Sequence, residues 1–220
     1  GANLEGLDLT EAVVRRPKLD GADLRRARFY KADLTGADLT TVRLEGTSLQ
    51  RALLEDARAA GVVLRTCDLR DACLDRADLT GADLVSVPLS GASFVEAKLE
   101  KARLAGADGR AADFRGANLT GADLRSGRFE DASFDQAMMV RANGESASFV
   151  RARMRKAQLL FAVMKNANLS FVKLAHAVLG QADFSGANLE QANLHGVRLE
   201  GVNLDHANLK HVSKTDPELA

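Results

Sequence analysis

Residues 114–124 read FRGANLTGADL. A large apolar residue falls at Phe114, Leu119 and Leu124, and alanine stands two places before each, at Ala112, Ala117 and Ala122. The apolar period is five, whereas a strand repeats every two residues and a helix every 3.6. Outward from this stretch the same frame covers almost the whole chain. Centres fall at every fifth position from Leu4 to Leu209, 42 in all: 28 Leu, seven Phe, three Met, and Val14, Ala59, Gly109 and Gly144. Of the 43 positions two before a centre, from Ala2 to Val212, 31 are Ala. The frame never slips.

An unslipping phase means that every repeat meets the same surroundings. Five residues advance an α-helix by about 500°, so its apolar face would wind around the axis. A flat strand would send successive centres to opposite faces. The pattern requires a backbone that turns once per five residues, always in the same sense, and closes into coils that stack as parallel strands. Asp, Asn or Ser before the centre suits side-chain bonds to local backbone at each turn. Fourteen of the 18 glycines fall in one phase of the repeat, thirteen of them two after a centre and Gly1 in step with these, Gly36, Gly81, Gly116 and Gly121 among them, where a tight turn favours Gly.

These residues resemble the pentapeptide-repeat family, whose motif is A(D/N)LXX. ANLTG at 117–121, ADLTG at 77–81 and ADLRS at 122–126 are near-consensus copies. The resemblance spans residues 1–212 and leaves 213–220 as a C-terminal tail. It implies an all-β fold, a right-handed parallel β-helix: a four-sided solenoid of about 10 coils, with four pentapeptides per coil. Residues twenty apart then stack. Phe94, Phe114 and Phe134 are expected to form one core ladder, and Phe129 to lie below Phe149. Gly109 and Gly144 leave room in the lumen, to be taken by neighbouring Phe side chains or by a local kink.

The bulk numbers exclude several classes. Thirty basic and thirty acidic side chains cancel, which disfavours a generally basic nucleic-acid binder. Aromatic content is 5%, with no Trp and one Tyr, Tyr30, thin for an enzyme pocket or a base-stacking surface. No apolar run approaches a membrane span and no signal peptide is evident. Cys67 takes an Ala slot and Cys73 an outward one, so both read as reduced thiols in a cytoplasmic setting. There is no phosphate-cradling loop, nucleophile elbow, HExxH or CxxC. His176 and His195 fall on one side in successive coils and read as surface histidines rather than metal ligands. Catalytic, cofactor and metal sites are therefore expected to be none, and the chain is read as a non-enzyme.

Function must then lie outside. Summed along the four sides, the charge is −1 for the Leu4 series of centres, 0 for Leu9, +1 for Val14 and +1 for Leu19. Family members that protect topoisomerases resemble a DNA duplex in shape and in strong negative charge. Here only a short acidic patch, Glu55, Asp56, Asp71 and Asp75, answers to that, so the topoisomerase (gyrase) reading, which would confer drug resistance, stands as the alternative. Along the axis the balance breaks. Arg141, Arg151, Arg153, Arg155, Lys156, Lys165 and Lys173 face one acid, Glu145, within that window. Apolar residues occupy outward slots in the same region: Met138, Val140, Leu160, Phe161, Val163, Phe171 and Val178. Apolar surface rimmed by cations is what a protein interface looks like, so a protein partner is expected here, and neither nucleic acid nor membrane. Residue 1 is already in frame without Met, which predicts a domain of a larger bacterial protein. Family analogy suggests secretion systems, type VI among them, or a translocated effector. End-to-end stacking or self-association is the other expectation for open coil ends.

Overall fold

The computed structural model describes residues 1–213. Every β-bridge joins residue i to i+20 in parallel, from Asn3↔Asp23 to Asn193↔Ser213. One coil therefore takes twenty residues and turns four times. Each side contributes a single bridged residue rather than an extended strand, always the residue just before the centre.

The opening stretch shows why the five-residue motif has its composition. In Ala117–Gly121 the Ala117 N–H closes a turn onto the Phe114 carbonyl (3.1 Å). Asn118 N–H donates down the ladder to Ala97 O (2.9 Å); Leu119 and Gly121 N–H donate up it, to Met138 O (2.7 Å) and Val140 O (2.8 Å). The fifth N–H, on Thr120, points along no ladder, and the Asn118 side chain accepts it at 3.1 Å. Asp or Asn before the centre thus satisfies the one amide per repeat that the backbone would otherwise leave unpaired. Asp23, Asp113 and Asp123 do the same for Arg25, Arg115 and Arg125.

The residue two after each centre carries the turn with φ near +60°, the third position of a type II turn. Gly is favoured there, but 27 non-glycine residues also adopt it. Each of these bears a left-handed cost of roughly 1–2 kcal/mol, offset by the stacked ladder around it. Thr41 and Thr66 are the exceptions among the described residues, since neither is left-handed. β-Branching disfavours that region. The rotated peptide no longer presents its carbonyl to the coil below, and the threonine hydroxyl replaces it. Thr41 Oγ1 accepts from Gly21 N–H (3.0 Å) and Thr66 Oγ1 from Gly46 N–H (2.9 Å).

The lumen holds the centres and the alanines, nearly all fully buried from Ala22 to Leu194. In the terminal coils Leu4, Leu9, Leu199 and Leu204 are half-buried, and Val14 and Leu209 are exposed. The aromatic centres interlock. Phe94, Phe114 and Phe134 stack at 4.9 and 4.8 Å between ring centroids, with planes within 6° of parallel. Phe129 stacks on Phe149 at 5.4 Å and meets Phe114 and Phe134 edge-on. Gly109 and Gly144 make no kink: both keep their ladder bonds at 2.7 Å. The space at Gly109 is taken by the Phe129 ring and Leu89, and that at Gly144 by Met164 and Phe149. Gly127 faces the other edge of Phe129.

Candidate functional site

The twenty-residue register sorts the candidate surface onto particular sides. Met138, Val140, Leu160 and Val178 lie on the Leu19 side, and Arg141 and Phe161 on the corner that follows it. In this group Met138 bridges Gln158 and Gln158 bridges Val178. The Arg141 guanidinium lies 5.3 Å from the Phe161 ring centroid, within cation–π range. Gly180 lacks the side chain that Leu160 would otherwise meet at 3.0 Å, leaving a notch at that end. Val163 is around the corner on the Leu4 side. Phe171 is ten residues from Phe161, half a coil, and stands on the diagonally opposite corner, stacked above Arg151. The apolar set therefore contains one contiguous group of five and two outliers.

The cations divide likewise. Arg153, Arg155, Lys156 and Lys173 share the Val14 side, and Arg153 bridges Lys173. Arg153 and Arg155 both grip Asp135, each at 2.6 Å, and Asp135 is only 7% exposed. Burial alone would push its carboxyl up; hydrogen bonds from Arg155 and Arg153 outweigh that and hold it below the usual carboxylate range. Asp135 also accepts the Arg155 N–H at 2.8 Å. Arg153 occupies the slot where Asp or Asn normally serves that amide, so the carboxylate is recruited from the preceding coil. Asp75 does the same for Val95 N–H (3.1 Å), where Ser93 holds the slot.

Cations that look unopposed along the chain thus have partners one coil away. Arg151 pairs with Asp131 through two bonds of 2.7 Å, and Lys165 with Asp183 at 3.2 Å. Among the described residues Arg141, Lys156 and Lys173 have no acid within ion-pair distance. The excess of the Arg141–Lys173 window is concentrated on the Val14 side. The acidic patch is tempered too, since Arg76 pairs with Glu55 and Asp56 and Arg51 with Asp71. Neither the shared role of Asp135 nor these pairings was found by reading along the sequence. The signal was present: a non-Asx residue before a centre, with an acid eighteen positions earlier.

The remaining chemistry-bearing residues are structural. Cys67 is buried, its Sγ 3.1 Å from Leu44 O, and burial pushes its thiol up to about 12. The His176 and His195 rings meet edge-on at 5.1 Å. Among the described residues no three His, Cys, Asp or Glu are grouped to hold a metal ion. No helix among the described residues is long and apolar enough to cross a membrane.

The ladder, the Ala/Leu lumen and the Asx-served turn have a counterpart among known families. A family model described as pentapeptide repeats matches residues 8–46, 47–84, 89–125, 162–201 and 182–213, in eight copies. The chain is a member of the pentapeptide-repeat family. Between the matched ranges, residues 126–161 have centres Phe129, Phe134, Met139, Gly144, Phe149, Met154 and Leu159, so only one is the consensus Leu. Their bridges continue unbroken.

Among solved structures the chain is similar to HetL, a pentapeptide repeat protein involved in heterocyst differentiation regulation in the cyanobacterium Nostoc sp. The identity is 26%, with 99% of this chain and 92% of that one covered and a TM-score of 0.50. It also resembles full-length QnrB1, a plasmid-mediated fluoroquinolone resistance protein, at 18% identity over 99% and 96% of the two chains, with a TM-score of 0.33. Rfr23 from the cyanobacterium Cyanothece 51142 aligns over 51% of this chain and 64% of its own at 28% identity, with a TM-score of 0.19. No curated protein matched. The likeness to HetL extends over nearly the whole of both chains; no enzymatic family is indicated, and nothing in these matches points to a secretion system.

Proposed function

We propose that this pentapeptide-repeat protein is a non-catalytic rigid rod that docks a protein partner through its Leu19 side. In this reading the rod is right-handed, with about ten coils over residues 1–212, and serves as a scaffold module of a larger bacterial protein. It works without a cofactor. A reducing, cytoplasmic setting suits its two unpaired thiols.

One observation carries the reading. Phe161 is 48% exposed and sits in a left-handed turn at φ 59°. Gly or Asn would fill that turn at lower cost and with better solubility. An aromatic held there, capped by Arg141 and flanked by Met138, Val140, Leu160 and Val178, has the composition of an interface centre rather than of a tolerant surface. The DNA-mimic alternative needs a strongly acidic side, and the most negative side carries only −1.

The test is capture from bacterial lysate by the wild-type rod and by the Leu160→Ser, Phe161→Asn variant. Asn tolerates the left-handed turn, so the fold is kept. The reading expects a protein recovered by the wild type and lost from the variant. Identical recovery by both would refute it.

A further inference from the structure

The Val14 side is charged unevenly along its length, and the unevenness is self-complementary. The coil 142–161 carries Arg153, Arg155 and Lys156 there, a net +3, and the coil 162–181 adds Lys173. A hundred residues earlier the coil 42–61 carries Glu55 and Asp56, a net −2, and the coil 22–41 carries Asp33, while the end coil 2–21 carries Arg15 and Arg16, a net +2, which the register below sets against the coil 182–201 with no Asp, Glu, Lys or Arg on this side. The coils between are neutral or −1 on this side. We infer that the Val14 side is a docking surface for a second copy of this chain, laid antiparallel across it.

The charge pattern selects both orientation and register. Two rods laid parallel on this side would set +3 against +3. An antiparallel pair related by a two-fold axis keeps each outward column facing the same column of its partner. With the axis passing between coils 82–101 and 102–121, Lys156 faces Asp56 and Arg155 faces Glu55, each twice by symmetry. Lys173 then faces the column of Asp33. Moving the register one coil either way sets the +3 coil opposite a neutral coil or a −1 coil, so this register is favoured over its neighbours.

The side chains are placed for this. Lys156 and Lys173 are exposed, with no acid partner among the described residues. Asp56 is exposed and Glu55 half-exposed. Arg76 binds both acids, which reduces the acidic end without cancelling it; Asp33 is only 6% exposed beneath Arg15, so the attraction rests on Glu55 and Asp56. Asp135 and Asp75 would face each other, but both are turned onto backbone amides of the next coil of their own chain. From coil 22–41 to coil 162–181 the footprint is seven steps of about 4.8 Å, roughly 34 Å, by one coil side in width. That is on the order of 1,000 Å² in total, the low end for a specific interface. The dimer is therefore weak, electrostatic and salt-sensitive. This surface lies on a different side from the apolar group around Phe161, so either proposal can fail without the other.

Sedimentation velocity over a concentration series tests it. The wild type should dimerise at about 0.1 M salt, with the dissociation constant rising at least about tenfold toward about 1 M, where screening shortens from about 10 to about 3 Å. Lys156→Glu should raise the dissociation constant at least about tenfold, since the new carboxylate then faces Asp56 twice; the residue does not touch the Asp135 network, so folding should be kept. Asp56→Lys should weaken the dimer likewise, setting its new ammonium against Lys156. Mixing these two variants should restore a heterodimer, because the new carboxylate then faces the new ammonium and Asp56 faces Lys156, while every other contact is unchanged. A wild type that stays monomeric at low salt overturns the inference. So does a dimer indifferent to salt, or a mixture of folded variants that fails to associate.

Discussion

Gly109 and Phe129 are one packing unit, and a double-mutant cycle between them measures it. Both are centres, twenty residues apart on the Leu9 side. A Cβ added at Gly109 would lie 2.7 and 2.8 Å from Phe129 Cδ1 and Cε1 and 2.9 Å from Leu89 Cδ1. Gly109 is not left-handed, so alanine suits its backbone and the penalty is steric. In a lumen at close-packed density, Gly109→Ala should cost about 1–3 kcal/mol. For a chain of this length that lowers Tm by roughly 2–12 °C. Phe129→Leu should cost about 2–3 kcal/mol, from lost volume and from edge and stacked contacts with Phe114, Phe134 and Phe149. The double variant removes the ring atoms that the new methyl strikes. With only the Leu89 contact left to relax, it should lose less than about 1 kcal/mol beyond Phe129→Leu alone, a coupling of about 0.5–2 kcal/mol. Gly180→Ala is the control: Gly180 is not left-handed and its added methyl meets only Leu160 on the outer surface, so it should add to Phe129→Leu without coupling. Thermal unfolding followed by far-UV circular dichroism reads all of these. Additive losses for Gly109→Ala with Phe129→Leu would refute the shared-space account.

Three further outcomes are expected. Asp135→Ala leaves the Arg155 amide and two arginines without their acceptor, so it should destabilise by about 2–4 kcal/mol; a Tm within a degree of wild type would count against its double role. Asp23, with Arg25 its chief donor, and Asp33, with Arg15, are held at about 2. Because folding depresses these values, their stabilisation is present above the unfolded value near 4 and is lost as pH falls toward 2. A thermal series should show Tm roughly level from about pH 7 to 5 and falling below; a Tm that rises on acidification would contradict that sign. Thr66→Val should expose the Gly46 amide to faster hydrogen exchange and cost about 0.5–1.5 kcal/mol, whereas Thr66→Gly should return the turn to its left-handed form with little loss. Equal protection of Gly46 in both variants would sink the hydroxyl substitution.

The interior was legible because its rule is a period. Once centres are known to recur every five and to stack every twenty, Phe94, Phe114 and Phe134 fall into one column by counting, and Gly109 is seen to leave a space. Which of the two expected outcomes held, a neighbouring Phe or a kink, was not legible, since it depends on which rotamer Phe129 adopts between Gly109 and Gly127. The exterior was less readable. Charge was counted along the chain from Arg141 to Lys173, but electrostatic neighbours on a stacked coil lie eighteen or twenty positions away. Asp131, Asp135 and Asp183 therefore fell outside the window or on its wrong side. The apolar residues were gathered by nearness in sequence, which put Phe171 beside Phe161 although half a coil separates them. The left-handed turns at Arg, Asp, His and Phe were hidden because Gly is only the cheapest occupant of that slot. Residues 214–220, most of the expected tail, lie outside the described residues.

The uniform twenty-residue register also fixes the step in which this sequence can change length. Losing or gaining one pentapeptide keeps every Leu in the lumen yet rotates all that follows by a quarter turn. Placed between Phe114 and Phe134 it would put them on different columns; placed between Asp135 and Arg155 it would part that pair; and either way the two ends of the Val14 side would no longer be the same side. Losing a full twenty restores every column and shortens the rod by one step. Five is thus the unit of folding, but twenty is the unit in which the outer surface can be inherited.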